Sequence, residues 1–226
     1  MSDAVELPAD YYHSNFCALV NFVENQYSHL LSSEEIFFYQ SFKASSLDGQ
    51  KLYVRLLMRK GNFFRAKKLQ YAEITGLFAA AENLAGQGLL AISTETDLLT
   101  LLPLLTKAEL LARSGLSELK ALKREALEQA LLTQNSIGER DLQQRLQSEE
   151  LIYEVLQSVC FDTYKLCFFG NLFQDMSEYV LRDLGLQRYE SYSLDQKQQV
   201  FQSRKQLQCY LQYYTCLEQV DSAMTE

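Results

Sequence analysis

Lys51, Arg55 and Arg59 recur at four-residue intervals, a spacing that stacks side chains on one face of a helix. Three cations so placed form a stripe about 12 Å long. Like charges at i, i+4 repel, at a cost of a few tenths of a kcal/mol per pair in an isolated helix. A sequence that accepts this cost is expected to meet an anion. Lys60, Arg65, Lys67 and Lys68 follow, so that residues 43–68 hold eight basic groups and one acid, Asp48. This window carries +7, whereas the whole chain carries −8. A local cationic island on an acidic body is the pattern of a polyanion site and argues against binding nucleic acid with the whole surface. The plainer alternative is a solvated helix face.

Aromatic residues are interleaved with these cations. Phe63 and Phe64 read as core, while Tyr71, just after Lys67 and Lys68, is equally suited to core or to stacking on a nucleobase. No phosphate-cradling glycine loop, HExxH or nucleophile elbow occurs. Glu118-Leu119-Lys120 resembles part of a metal-nuclease motif but has no Pro-Asp partner upstream, and reads as a surface ion pair. His13 and His29 stand alone. The five cysteines, Cys17, Cys160, Cys167, Cys209 and Cys216, form no C-x-x-C pair and are expected as reduced core residues.

Two prolines and nine glycines favour long helices, and no apolar run is long enough to span a membrane. The acidic start MSDAVELPAD lacks a signal-peptide core, so the expected location is not secreted: cytoplasmic and nucleoid-associated in a bacterium, nuclear in a eukaryote. Periodicity predicts a helix over 11–31, with Phe16, Leu19, Val20, Val23 and Tyr27 inward. A second helix starts near Ser33, and a third, GQKLYVRLLMRK, stops at Gly61. NFFRAKKL reads as a strand or extended turn, 72–85 as helix and LLAIS as a short strand, the order of a winged-helix unit. Thr106 to Glu109 looks like a capping box opening a helix that ends at Gly115. A second helix begins near Lys123, suggesting a SAP-like hairpin, with a generic helical hairpin as the alternative. NSIGE, 135–139, is a linker candidate. Residues 140–169 read as helix, 175–194 as helix and aromatic turn, and 201–220 as a final amphipathic helix.

Three segments, YYHSNFCALVNFVENQYSHLL, GQKLYVRLLMRKGNFFRAKKLQYAEI and FFGNLFQDMSEYVLRDLGLQRYESYSL, together with FQSRKQL, resemble the N-terminal portion of the Fanconi-associated nucleases. These are structure-specific DNA repair enzymes whose catalytic part is a VRR-NUC domain. The resemblance implies a mostly α fold: a winged-helix-like DNA-binding domain with a short β wing at 1–93, a SAP-like module at 94–134, and helices at 135–226 leading toward repeat and nuclease domains. It implies phosphate contacts at Arg55, Arg59 and Lys60, DNA contacts at Tyr11 or Tyr12 and at Tyr71, and SAP-type contacts at Lys123 and Arg124. Lys51, Arg65, Lys67 and Lys68 complete the expected surface. The family's Pro-Asp and Glu-x-Lys catalytic motif has no counterpart here, so no catalytic residue and no cofactor is expected in these 226 residues; magnesium or manganese belongs to a parent nuclease. The expected function is the DNA-gripping front of a 5′-flap endonuclease and 5′ exonuclease of interstrand crosslink repair. A winged-helix regulator and a helical interaction scaffold are the alternatives. The expected partner is flapped or branched duplex; no membrane partner is expected, and a homodimer is left open.

Overall fold

The computed structural model describes residues 10–133, 138–148, 150–174 and 199–225. The expected linker thus falls largely, and the helix and aromatic turn at 175–194 wholly, outside the described residues.

The first helix, α1 (Tyr11–Tyr27), buries the expected face, with Phe16, Leu19, Val20 and Val23 fully inside. A 3-10 turn at Ser28–Leu30 leads to α2 (Ser33–Ala44). The cap of α2 is Ser32, not Ser33, which the sequence suggests as the cap: the Ser32 hydroxyl accepts from the Glu35 amide, and the Glu35 carboxylate accepts from the Ser32 amide. Ser46 caps α3 (Leu47–Leu57), whose sides are almost all buried from Lys51 to Leu56. Asn83 Oδ1, on α4 (Leu77–Gly86), accepts from the Ser46 amide at 2.8 Å. Gly49 makes this approach possible, because a Cβ there would lie 2.9 Å from that same Oδ1. Gly61 turns the chain after α3 at φ +87°, a conformation most side chains resist.

The turn delivers β1 (Phe63–Arg65) and a 3-10 turn at Ala66–Lys68. The next helix begins at Leu77, five residues later than the predicted 72. After it comes β2 (Leu90–Ser93). The two strands do not form a wing hairpin with each other. A third strand, β3 (Ile152–Val155), lies between them and pairs antiparallel with both, Phe64 facing Tyr153 on one side and Ile92 facing Tyr153 on the other. The helix predicted over 140–169 is therefore two helices separated by the central strand: α8 (Glu139–Gln147) and α9 (Ser158–Phe169).

Two apolar cores result. The first takes α1 to α4 and the sheet, and also α9 and the last described helix, α10 (Arg204–Thr225). Phe16 stacks on Phe42 and Phe161 at ring separations of 4.8 and 4.9 Å, which ties α9 to α1 and α2. Buried Glu35 binds α10 to the same body, accepting from Arg204 Nη1 at 2.5 Å and from the Thr163 hydroxyl. The second core is built from leucines of α5 (Leu98–Leu104), α6 (Lys107–Ser114), α7 (Arg124–Thr133) and α8. The capping box at Thr106 and Glu109 is present. The cores therefore do not divide at 134: α8 belongs with the helical module, and everything described from β3 onward returns to the first core.

Cys167 is buried, and burial pushes its thiol up to about 12; Cys160 is half-buried and raised to about 11 for the same reason. Cys209 and Cys216 are exposed, against the expectation that all five line the core. Their seven-residue spacing does share one face of α10, but it is the outer face.

Candidate nucleic-acid interface

The i, i+4 row on α3 passes from the interior to the surface. Lys51 is buried, its ammonium 3.1 Å from the Asp10 carboxylate at the start of α1. Arg55 is half-buried: Glu73 Oε1 accepts from its Nε at 2.8 Å and its Nη2 at 2.6 Å. Glu73 also accepts from the hydroxyl of Tyr12, whose ring lies beneath the guanidinium with 3.9 Å between Arg55 Cζ and the ring centroid. Burial raises the Glu73 carboxyl, but its backbone hydrogen bond, Arg55 and Tyr12 outweigh this and hold it below the usual carboxylate range. Burial pushes the Tyr12 hydroxyl upward, so Tyr12 stays a neutral donor. Only Arg59 reaches the surface, and it lies two residues past the end of α3, so the expected three-cation ridge along one helix is not formed and a single exposed guanidinium remains.

Arg65 turns inward. Its Nη1 and Nη2 donate to the two oxygens of Glu109 at 2.8 Å each, and Nη2 also donates to Glu150 at 2.7 Å. Arg113 Nη2 donates to the same Glu150 oxygen, Oε1, at 2.7 Å. The hydrogen bonds that Arg65 donates to Glu109 and Glu150 raise its pKa, and Arg65 in turn holds Glu109 well below its ordinary value. Arg65 is thus a bolt between β1 and α6, joining the two cores. Arg124 is likewise committed: it pairs with Glu128 and donates to the carbonyls of Leu102 and Leu105, closing the end of α5. In the helical module Lys123 alone of the expected pair is exposed.

The cations left on the surface around α3 and β1 are Arg59, Lys60, Lys67 and Lys68. Lys68 has a distant ion pair to Glu109 at 3.8 Å and keeps most of its side chain in solvent. Arg59 Nη1 donates to the Tyr71 hydroxyl at 3.2 Å. Two clefts adjoin here, of about 410 and 390 Å³, and Arg59 and Lys68 line both. The first is walled by Tyr11, Tyr12, Arg55 and Tyr71; the second by Phe63, Phe64 and Leu104. Phe64 is buried as expected, and Phe63 is half-buried on the second cleft. Sequence reasoning found these cations and rings but missed Met58 and Gln70 in the first cleft; neither residue type carries a local signal. Among the described residues no cluster of three or more His, Cys, Asp or Glu could hold a metal ion, and no described helix is long and apolar enough to cross a membrane.

A bundle with an antiparallel three-stranded sheet and a cationic cleft beside its third helix is a helix-turn-helix type of module. The family model described as "FAN1, HTH domain" matches residues 10–91. The chain is 35% identical over 213 residues to a Fanconi-associated nuclease 1 homolog of Pseudomonas aeruginosa, covering 93% of this chain and 38% of that protein. A homolog of Arabidopsis thaliana is 28% identical, over 94% of this chain and 25% of its own length. A crystal structure of paFAN1 bound to 2nt 5′ flap DNA with gap superposes with a TM-score of 0.81 and 33% identity, over 96% of this chain and 40% of the other. A second, bound to 1nt 5′ flap DNA with gap, gives 0.78 and 32%, over 95% of this chain and 40% of the other. The chain is similar to the N-terminal portion of Fanconi-associated nucleases, and its residues 10–91 match their helix-turn-helix domain. It spans about two fifths or less of the length of these relatives.

Proposed function

We propose that the chain is the DNA-binding front of a structure-specific nuclease, and that it grips flapped or branched duplex through the sugar-phosphate backbone. The observation that carries this reading is the meeting of Arg59, Lys60 and Lys68 on the rim of two adjoining clefts, in a chain that superposes on a relative solved with 5′ flap DNA. Phosphate contacts fix register without reading sequence, which suits an enzyme that must recognise shape. Lys67 and, across the helical module, Lys123 extend the same field. Arg55 contributes a cation already shared with Glu73, while Lys51, Arg65 and Arg124 serve by holding α3, the sheet and α5 in place. The winged-helix and SAP-like comparisons, and a role in crosslink repair, belong to this same reading. Metal-dependent cleavage belongs to a longer parent, where magnesium or manganese would act.

The double substitution Arg59→Ala/Lys68→Ala tests the grip. Each lost phosphate contact is expected to flatten the dependence of log affinity on log salt by about 0.9, so the slope drops by about 2 for flap DNA. The melting temperature should hold, because exposed substitutions of this kind usually change stability by less than about 0.5 kcal/mol. An unchanged salt slope refutes the proposal. A sequence-specific regulator would instead show strong discrimination between unrelated duplexes in competition binding.

A further inference from the structure

A grip on phosphates alone requires cations, and no walled recess. Yet the cleft beside α3 has a volume of about 410 Å³, within the range of small-ligand sites. Tyr11 and Tyr71 present partly exposed rings to it. Arg55 lies between the rings of Tyr12 and Tyr71, its Cζ 3.9 and 5.5 Å from their centroids, so the back of the recess is a flat, polarised surface. Arg55 at the back is already paired with Glu73, and the exposed cations of the cleft are Arg59 and Lys68. Rings inside and exposed cations outside match a nucleotide, whose base is flat and apolar on its faces and whose phosphate is anionic. A base that is paired and stacked within a duplex offers no free face, so entry requires an unpaired one.

We infer that this cleft is a subsite for one unpaired nucleotide at the point where a duplex opens, with its base stacked on the tyrosine walls and its phosphate held by Arg59 and Lys68. The inference rests on the proposed DNA-binding reading and deepens it. The hydrogen bond from Arg59 to the Tyr71 hydroxyl makes ring and rim one unit, so the base and its phosphate are captured together.

The whole chain is titrated with a blunt duplex and with the same duplex carrying a single unpaired 2-aminopurine nucleotide at its end. The expected result is tighter binding of the extended duplex, with quenching of the probe as it stacks. Tyr71→Ala should weaken binding of the extended duplex by about tenfold, leave the blunt duplex within about twofold, and abolish quenching. Tyr71→Phe, which keeps the ring, should retain the quenching. If Tyr71→Ala melts early, Tyr11→Ala reads the opposite wall and should lose the quenching too. Equal binding of the two duplexes without quenching overturns the subsite and leaves the backbone grip standing, as does an equal loss on both duplexes from the tyrosine variants. No affinity for the blunt duplex at low salt overturns the grip and the subsite together.

Discussion

The Arg55 guanidinium enters the cleft already paired, because Glu73 Oε1 accepts from both Nε and Nη2. Its positive charge is therefore partly spent before any DNA arrives. Glu73→Gln would keep an acceptor for Tyr12 while removing the neutralising charge. The salt slope for DNA binding is expected to steepen by up to about 0.9 as Arg55 becomes available to a phosphate. Stability should fall by about 1 kcal/mol, since one charged hydrogen-bond acceptor becomes neutral in a partly exposed setting. Salt-dependent binding of wild type and variant, with a melt of each, checks both; a flatter slope would show that Glu73 aims Arg55 at the phosphate instead. At this scale the sequence was legible in part. Arg59, Lys60 and Lys68 stand free of close ion pairs because their window contains almost no acid, and a count of charge along the chain detects that. The partners of Lys51, Arg55 and Arg65 are Asp10, Glu73, Glu109 and Glu150, all outside the basic window. No local count anticipates them.

Between elements, the Arg65 bolt has the larger energetic consequence. Arg65 and Glu150 are both nearly inaccessible, so removing Arg65 leaves the buried Glu150 carboxylate to Arg113 alone, at a cost of about 1–3 kcal/mol. Arg65→Ala is expected to lower stability by that order in urea unfolding, and to loosen α6 from the sheet. A cost below about 1 kcal/mol would show that the two cores dock by apolar contact alone. The same network has a pH signature. Glu109 and Glu150 are held below the ordinary carboxylate range in the folded chain, by Arg65 at the first and, against the effect of burial, by Arg65 and Arg113 at the second. They bind protons less readily folded than unfolded, so their contribution is complete above the ordinary range and is lost as pH falls toward the folded values. Acid titration of the wild type should therefore be steeper than that of Arg65→Ala below the ordinary carboxylate range. The helices themselves were readable from apolar spacing and caps, α1, α2, α3 and α6 above all. β3 was not, because four residues lying between two helical patterns give too short a run to show alternation. Its place at the centre of the sheet is decided by two partners more than fifty residues upstream.

On the scale of the molecule, the first core draws on residues from Tyr12 to Tyr214, while the leucine-rich module is an insertion between β2 and β3. The segment matched by the helix-turn-helix family model, 10–91, is therefore not a complete folding unit. A fragment of those residues would expose the ladder edges of both β1 and β2 and the ring of Phe16 that Phe161 covers. It is expected to aggregate or to lack a cooperative melt, whereas a chain through α10 melts cooperatively; calorimetry of the two distinguishes the cases.

The threading of β3 between two earlier strands also bears on synthesis. As the polypeptide leaves the ribosome, β1 and β2 emerge with no neighbour to hydrogen-bond, and their mate follows only after the whole leucine-rich insertion has been translated. That insertion has a core of its own and is free to fold first, after which Glu150, the last carboxylate partner of Arg65, and the missing strand arrive within a few residues of each other. Closure of the sheet and alignment of the inserted module would then be a single late event, so a nascent chain stalled before residue 152 would carry half-built walls around the cationic clefts.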